Sequence, residues 1–220
     1  MPKAWSDDFL ELALEYGALR FGEFTLKSGR VSPYFFNAGQ FNDGAGIDRL
    51  ARCYAACIMA SGVEFDGLFG PAYKGIPLAT AVAISLQRDF NRNVPYSFDR
   101  KEAKDHGEGG IIVGAPLSGR ILIIDDVISA GTSVRASCEL IEAQGATAAG
   151  VAIALDRQEK GQDQRSAVDA VRASGLAVIN VSSLSDLIDW LDQRLPSQSE
   201  NPLLGDQLEA IRHYRDQYGV

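Results

Sequence analysis

The residues that most often advertise chemistry are scarce in this chain. Its 220 residues include three cysteines, Cys53, Cys57 and Cys138, and two histidines. An odd cysteine count without a CxxC pair excludes a disulfide framework and fits a reducing compartment. Cys53 and Cys57 stand four apart in a helical pattern, but no nearby histidine or further thiol completes a metal site. Both are expected as small buried hydrophobes. Positive charge is also short: 21 Lys and Arg against 29 Asp and Glu give a formal net charge of −8. That balance argues against coating nucleic acid or an anionic membrane, though not against a small anionic ligand, which responds to local charge. No apolar run approaches the roughly 20 residues needed to span a bilayer. The opening MPKAWSDDFLEL has no apolar secretion core, so a cytoplasmic location with no membrane partner is expected. No GxxxxGK[ST] occurs, and no GxGxxG follows a strand, which disfavours a P-loop NTPase and a dinucleotide-binding domain.

What is present suits one globular domain, because 220 residues suffice to bury a single core. Phe9, Leu12, Ala13 and Tyr16 predict a first helix stopped by Gly17. Two short extended pieces, RFGEFTL and PYFFNAG, follow around the turn KSGRVSP. Ile47, Leu50, Ala51, Tyr54, Cys57 and Ile58 mark an amphipathic helix. Strands then alternate with helices: DGLFG, a helix over 74–88, VPYSF, RILIID, a helix over 131–144, TAAGVAIAL, a helix and LAVINV. Two C-terminal helical patterns are joined by the polar LPSQSENPLLG. The alternation predicts an α/β fold with a mainly parallel, twisted sheet flanked by helices on both faces. Ligands of such sheets bind at the carboxyl ends of strands, so the residues after DGLFG, VPYSF, RILIID and VAIAL are the places to search.

The stretch ILIIDDVISAGTSV, residues 121–134, ends an apolar strand in paired carboxylates and a small-residue turn. Taken alone, Asp125 and Asp126 read equally well as turn and cap residues. The turn changes that reading, because it opens a helix whose stripe is Val134, Cys138 and Ile141. A helix start preceded by small residues offers free N–H groups and a positive dipole end to a phosphate. Carboxylates beside such a cradle suit a ligand that also carries hydroxyls or a divalent cation, and a phosphorylated sugar with Mg²⁺ meets both conditions.

The segment IIDDVISAGTS resembles the phosphoribosyl pyrophosphate (PRPP) signature of the type I phosphoribosyltransferases. The resemblance implies that Asp125 and Asp126 hold the ribose 2′ and 3′ hydroxyls. The loop Val127, Ile128, Ser129, Ala130, Gly131, Thr132 and Ser133 would hold the 5′-phosphate. GPAYKGI, residues 70–76, follows a strand and opens a helix; by itself it reads as a surface loop with a solvated lysine. Beside the Asp pair it resembles the family's pyrophosphate loop, with Tyr73 and Lys74 as the working residues. DRKEAKDHGEGG, residues 99–110, reads as a long, charged, mobile loop. It is similar to the catalytic lid of the orotate-specific branch, which implies roles for Arg100, Lys101, Lys104 and His106 and closure over the neighbouring subunit of a homodimer.

FTLKSGRVSPYFFNAG resembles that branch's base-binding segment, implying that Lys27, Phe35 and Phe36 meet the flat base. Residues 1–45, with the C-terminal helices, would form a hood on a single domain spanning 1–220. Arg157, just past a strand end in ALDRQE, would grip a carboxylate bidentately. Ser129 would also touch the base, where bacterial members commonly carry Thr. The implied substrates are orotate and PRPP, with Mg²⁺ carried mainly by PRPP and no dedicated protein metal site. Two rival readings are a non-catalytic PRPP-sensing regulator and transfer to a purine. The lid and the absent DNA-binding extension oppose the first; YFFNAG, Lys27 and Arg157 oppose the second. His213 in EAIRHYRDQY is expected as a helix-surface residue.

Overall fold

The computed structural model describes residues 4–26, 28–104, 110–128, 131–161, 164–194 and 202–220. Helix α1 (Ala4–Glu15) buries Phe9, Leu10, Leu12 and Ala13 and is followed by Gly17 at φ 63°, a left-handed position that suits glycine. An antiparallel hairpin follows, β1 (Leu19–Thr25) with β2 (Val31–Phe36). Helix α2 (Gly44–Ser61) starts at Asp43, whose carboxylate accepts from the Gly46 N–H at 2.7 Å. The main chain then runs β3 (Gly67–Gly70), α3 (Gly75–Phe90), β4 (Tyr96–Lys104), β5 (Gly110–Gly114), β6 (Arg120–Ile124), α4 (Thr132–Ala143), β7 (Thr147–Asp156), α5 (Ala167–Ala173), β8 (Ala177–Ser183), α6 (Leu184–Arg194) and α7 (Pro202–Tyr218). Among the described residues no helix is long and apolar enough to cross a membrane.

The large sheet has six strands in the order β5-β4-β3-β6-β7-β8. All neighbours are parallel except the β4–β5 edge pair. Alternation along the central strands divides the core between the two faces. Leu68, Leu122, Ile124, Ala152 and Ala154 pack with α1, α2, α3, α6, α7 and the hairpin. Phe69, Ile121, Ile123, Val151 and Ile153 pack on the other face with α4 and α5. Strands covered on both sides lose the polar alternation of a half-exposed strand, which is why ILII reads as an unbroken apolar run. Cys53 and Cys57 are buried as free thiols, and desolvation pushes the Cys53 thiol up to about 12.

Two elements differ from the sequence expectation. Residues 99–104 continue β4 as a strand, and β5 returns against it, pairing Phe98 with Val113, Asp99 with Ile112 and Lys104 with Gly110. The charged half of β4 runs past its pairing with β3 and pairs with the edge strand β5, where a hairpin ladder tolerates polar residues. Helix α7 begins at Pro202, inside the stretch assigned to the joint, because proline suits a first helical position whose N–H needs no partner.

Candidate functional site

From β3 the chain runs to β4 on one side and then crosses to β6 on the other, so β3 and β6 diverge at a topological switch point. Crevices of this kind hold ligands in open α/β sheets. Two loops leave it side by side.

The loop after β3 is pressed flat. A Cβ on Gly70 would stand 2.2 Å from the Gly75 carbonyl oxygen, and one on Gly75 would stand 2.8 Å from the Ile124 oxygen and 2.6 Å from Pro71 Cδ. Only glycines allow that approach. The Ala72–Tyr73 peptide is cis. The Ala72 N–H donates to Asp99 Oδ1 at 2.6 Å, so the first residue of the charged half of β4 fastens this loop. Tyr73 stands 64% exposed, and Lys74 leads into α3.

At the end of β6, Asp125 turns back on itself, its Oδ1 accepting from the Asp126 N–H at 2.8 Å. The Asp125 N–H donates to Ala152 O at 3.0 Å, and buried Tyr54 donates its hydroxyl to the Asp125 carbonyl at 2.7 Å. Burial, then the charge of Asp126, raises the Asp125 carboxyl to about 7. Asp126 is buried and takes the Lys74 ammonium at 2.6 Å. The two loops are therefore joined, without ligand, by one ion pair. Val127 and Ile128 anchor against opposite cores. Gly131 then caps α4 at φ 69° with no side-chain bond to the first turn, and Thr132 and Ser133 lie exposed there. Ser133 Oγ approaches Asp125 Oδ2 at 3.5 Å. Uncapped N–H groups on a 12-residue helix form an anion seat.

Arg157 lies just past the end of the next strand, β7. The Ala154 N–H donates to Asp126 O at 2.9 Å, which places Arg157 only three residues beyond the Asp pair's backbone. Its Nε and Nη2 bond Glu159 Oε1 at 2.9 and 2.5 Å, Nη2 also reaches Ser32 Oγ at 3.3 Å, and its guanidinium lies 4.4 Å from the Tyr34 ring centre. The Nε edge is thus spent, and a ligand carboxylate is left the Nη1 side. The two phenylalanines point to opposite faces, as neighbours in a strand must. Phe36 is buried 5.8 Å from Phe9, whereas Phe35 packs on Phe24 at 5.5 Å with Arg20 alongside. Arg100 Nε donates to Gly110 O at 3.1 Å across the hairpin. Lys101 and Lys104 belong to β4, with side chains outside the description; Lys27, His106, Ser129 and Ala130 lie outside the described residues. His213 lines a cavity of about 520 Å³ between the hairpin and α7.

Residues 37–180 match the phosphoribosyl transferase domain family. An orotate phosphoribosyltransferase of Yersinia enterocolitica is 57% identical over 219 residues, covering 99% of this chain and 100% of that protein. One from Thioalkalivibrio sulfidiphilus is also 57% identical, with the same coverage. The chain belongs to the orotate phosphoribosyltransferases. The crystal structure of the orotate phosphoribosyltransferase of Francisella tularensis superposes with a TM-score of 0.84 at 41% identity, covering 96% of this chain and 99% of that one.

Of the residues singled out in the sequence of this orotate phosphoribosyltransferase, Asp126 and Lys74 are in contact, Asp125 adjoins them, and Arg157 lies just past the end of the neighbouring strand. Asp99, Tyr54, Glu159 and Tyr214 hold these residues or their loops in place and were not singled out. Asp99 is one of four acids in a charged segment, and nothing in its spacing separates it from the others. Glu159 is an ordinary acid two residues from Arg157, and Tyr214 reaches it from far along the chain, so no local pattern reveals the cluster. Among the described residues no group of three or more acids, histidines or cysteines forms a metal cage. Two adjacent carboxylates, one already paired with Lys74, fit a cation that arrives with a phosphorylated ligand.

Proposed function

We propose that the chain transfers the 5-phosphoribosyl group from PRPP to orotate, giving orotidine 5′-monophosphate and pyrophosphate on the way to UMP, in the cytoplasm. One observation supports this above the rest: two anion-binding loops leave neighbouring strands with the Asp125–Asp126 pair between them. That arrangement suits a ligand phosphorylated at both ends with hydroxyls in the middle. Cys53, Cys57 and Cys138 form no disulfide, which suits a reducing compartment.

In this reading the Lys74 ammonium and the N–H groups of Tyr73 and Lys74 take the pyrophosphate, the Ala72 and Gly75 N–H groups being held by Asp99 and Pro71 O, and the first turn of α4 takes the 5′-phosphate. Asp126, released from Lys74, and Asp125 hold the ribose hydroxyls. A carboxyl near pH 7 in its titration can accept from one hydroxyl and donate to another. Displacement at the anomeric carbon passes through an oxocarbenium-like state, so no covalent nucleophile is required and positioning with electrostatics carries the rate. Bound Mg²⁺ offsets charge on the departing pyrophosphate. Arg157 meets the base's carboxylate through Nη1, with Lys27 and Phe35 beside the ring, under a hood built from residues 1–45 and the C-terminal helices. Arg100, Lys101, Lys104 and His106 close over the site and exclude water that would hydrolyse PRPP. The lid serves the partner subunit of a homodimer; exposed Tyr73, Ile84, Tyr96 and Ile111 offer apolar surface near it for a second copy.

Orotate absorbance followed with PRPP and Mg²⁺ tests the reaction. A PRPP-dependent fall supports it, and turnover of a purine with orotate unchanged overturns it.

A further inference from the structure

Arg157 is held by groups that the transfer reaction itself does not require. Gln158 adopts a left-handed backbone at φ 52°, uncommon for a residue with a side chain, and this turn brings residues 157 and 159 onto each other. The turn is fastened from several directions. The Gln158 N–H donates to Asp156 Oδ1 at 2.9 Å, and the Gln158 side-chain oxygen accepts from both the N–H and the hydroxyl of Ser185 at 2.8 Å. Residues 218–220 lie along it: the Lys160 N–H donates to Tyr218 O at 2.8 Å, and the Val220 N–H to Gln158 O at 3.0 Å. Glu159 Oε1 takes both Arg157 bonds and the Tyr214 hydroxyl at 3.1 Å, with the Arg157 and Glu159 side chains only 21% and 16% exposed. The guanidinium is packed between the Tyr34 ring and Glu159, with its Nε and Nη2 groups bonded to Glu159 Oε1.

We infer that Glu159, set by Tyr214 and by the backbone of residues 218–220, is a positioning residue for Arg157 and fixes how tightly the site holds the carboxylate of the base. This rests on the reading of Arg157 as the carboxylate's partner. Glu159 orients the fork and partly neutralises it, so the grip is directional without being irreversible. A purine, which has no carboxylate, gains nothing from a cation fixed this way. Helix α7 therefore takes part in base discrimination.

The test is a set of steady-state measurements with orotate and PRPP varied separately, each variant's folding checked by thermal melting. Glu159→Ala should raise KM for orotate on the order of tenfold, since a charge-assisted bond is lost, with kcat and KM for PRPP within about twofold. Glu159→Gln keeps Oε1 as an acceptor and should stay within roughly threefold of the parent. Tyr214→Phe and a chain ending at Gln217 should each raise KM for orotate several-fold by loosening the same turn. If Arg157→Ala raises KM for orotate but Glu159→Ala does not, the positioning role is wrong and the Arg157 reading stands. If Arg157→Ala leaves KM for orotate unchanged, the Arg157 reading fails first. Should Glu159→Ala not fold, Tyr214→Phe decides: equal effects on the orotate and PRPP constants would overturn the inference.

Discussion

Half of the Lys74 side chain is exposed, while the carboxylate 2.6 Å from its ammonium is only 10% exposed. Such a lopsided pair matters more to the buried member, because Asp126 has little water to fall back on. In the proposed binding mode PRPP offers both a new partner, pyrophosphate for the lysine and ribose hydroxyls for the acid. Lys74→Met should therefore raise KM for PRPP on the order of tenfold or more, with KM for orotate changing far less. Initial-rate measurements check it, and equal changes in both constants would point to general damage.

Asp125 gives a pH signature. Burial and its neighbour raise its carboxyl from 3.8 to about 7, so folding takes up a proton. The stability tied to the neutral acid is complete below about pH 4 and is lost as pH rises through about 7. The melting temperature should fall between about pH 4 and pH 7, and Asp125→Asn should flatten that part of the slope. An unchanged slope in the variant would place the effect in another group. Both acids were legible in the sequence because an apolar strand ending in charge is unusual. Glu159 was not, because an acid two residues after an arginine is ordinary until Tyr214 and residues 218–220 are seen around it.

At the level of elements, the β3–α3 turn illustrates what small residues permit. Gly75→Ala places a methyl carbon 2.8 Å from the Ile124 oxygen and 2.6 Å from Pro71 Cδ, so the turn must lift off the end of β6. The expected cost is ~1–3 kcal/mol of stability with weakened PRPP binding, measurable by urea denaturation and by KM. A variant with the parent's stability and KM would show that the turn has slack. Most elements were readable from periodicity, since the central strands and α2 carry strong apolar patterns. β5 escaped because GEGG punctuates like a loop. The pairing of Asp99 with Ile112 depends on backbone bonds between strands, which side-chain pattern does not record.

For the whole molecule, the hairpin and α7 share one core with the sheet: Phe36 meets Phe9, and the Tyr34 ring lies 6.3 Å from that of Tyr214. The hairpin and α7 are consequently packed into the same core as the strands of the crevice, and local sequence could not show this because the contacts join residues far apart in the chain. The proposed homodimer makes its own prediction. Lys101→Ala and Asp126→Asn proteins, each nearly inactive, should regain about a quarter of parental activity when unfolded and refolded together, because a hybrid with trans lids keeps one intact site. No recovery in the mixture would place the lid in cis.

The register between β3 and β6 has a further consequence. Gly67 pairs with Ile121, Leu68 with Leu122 and Phe69 with Ile123, and the two anion loops leave directly from these strands. Neighbouring strands lie about 4.8 Å apart and cannot slip by one residue without exchanging their buried and opposite faces. The loops are thus the jaws of a caliper whose opening is set by the core. In the proposed binding mode such a device gauges the length of its ligand as well as its charge: a sugar phosphorylated at one end engages one jaw and leaves the other open.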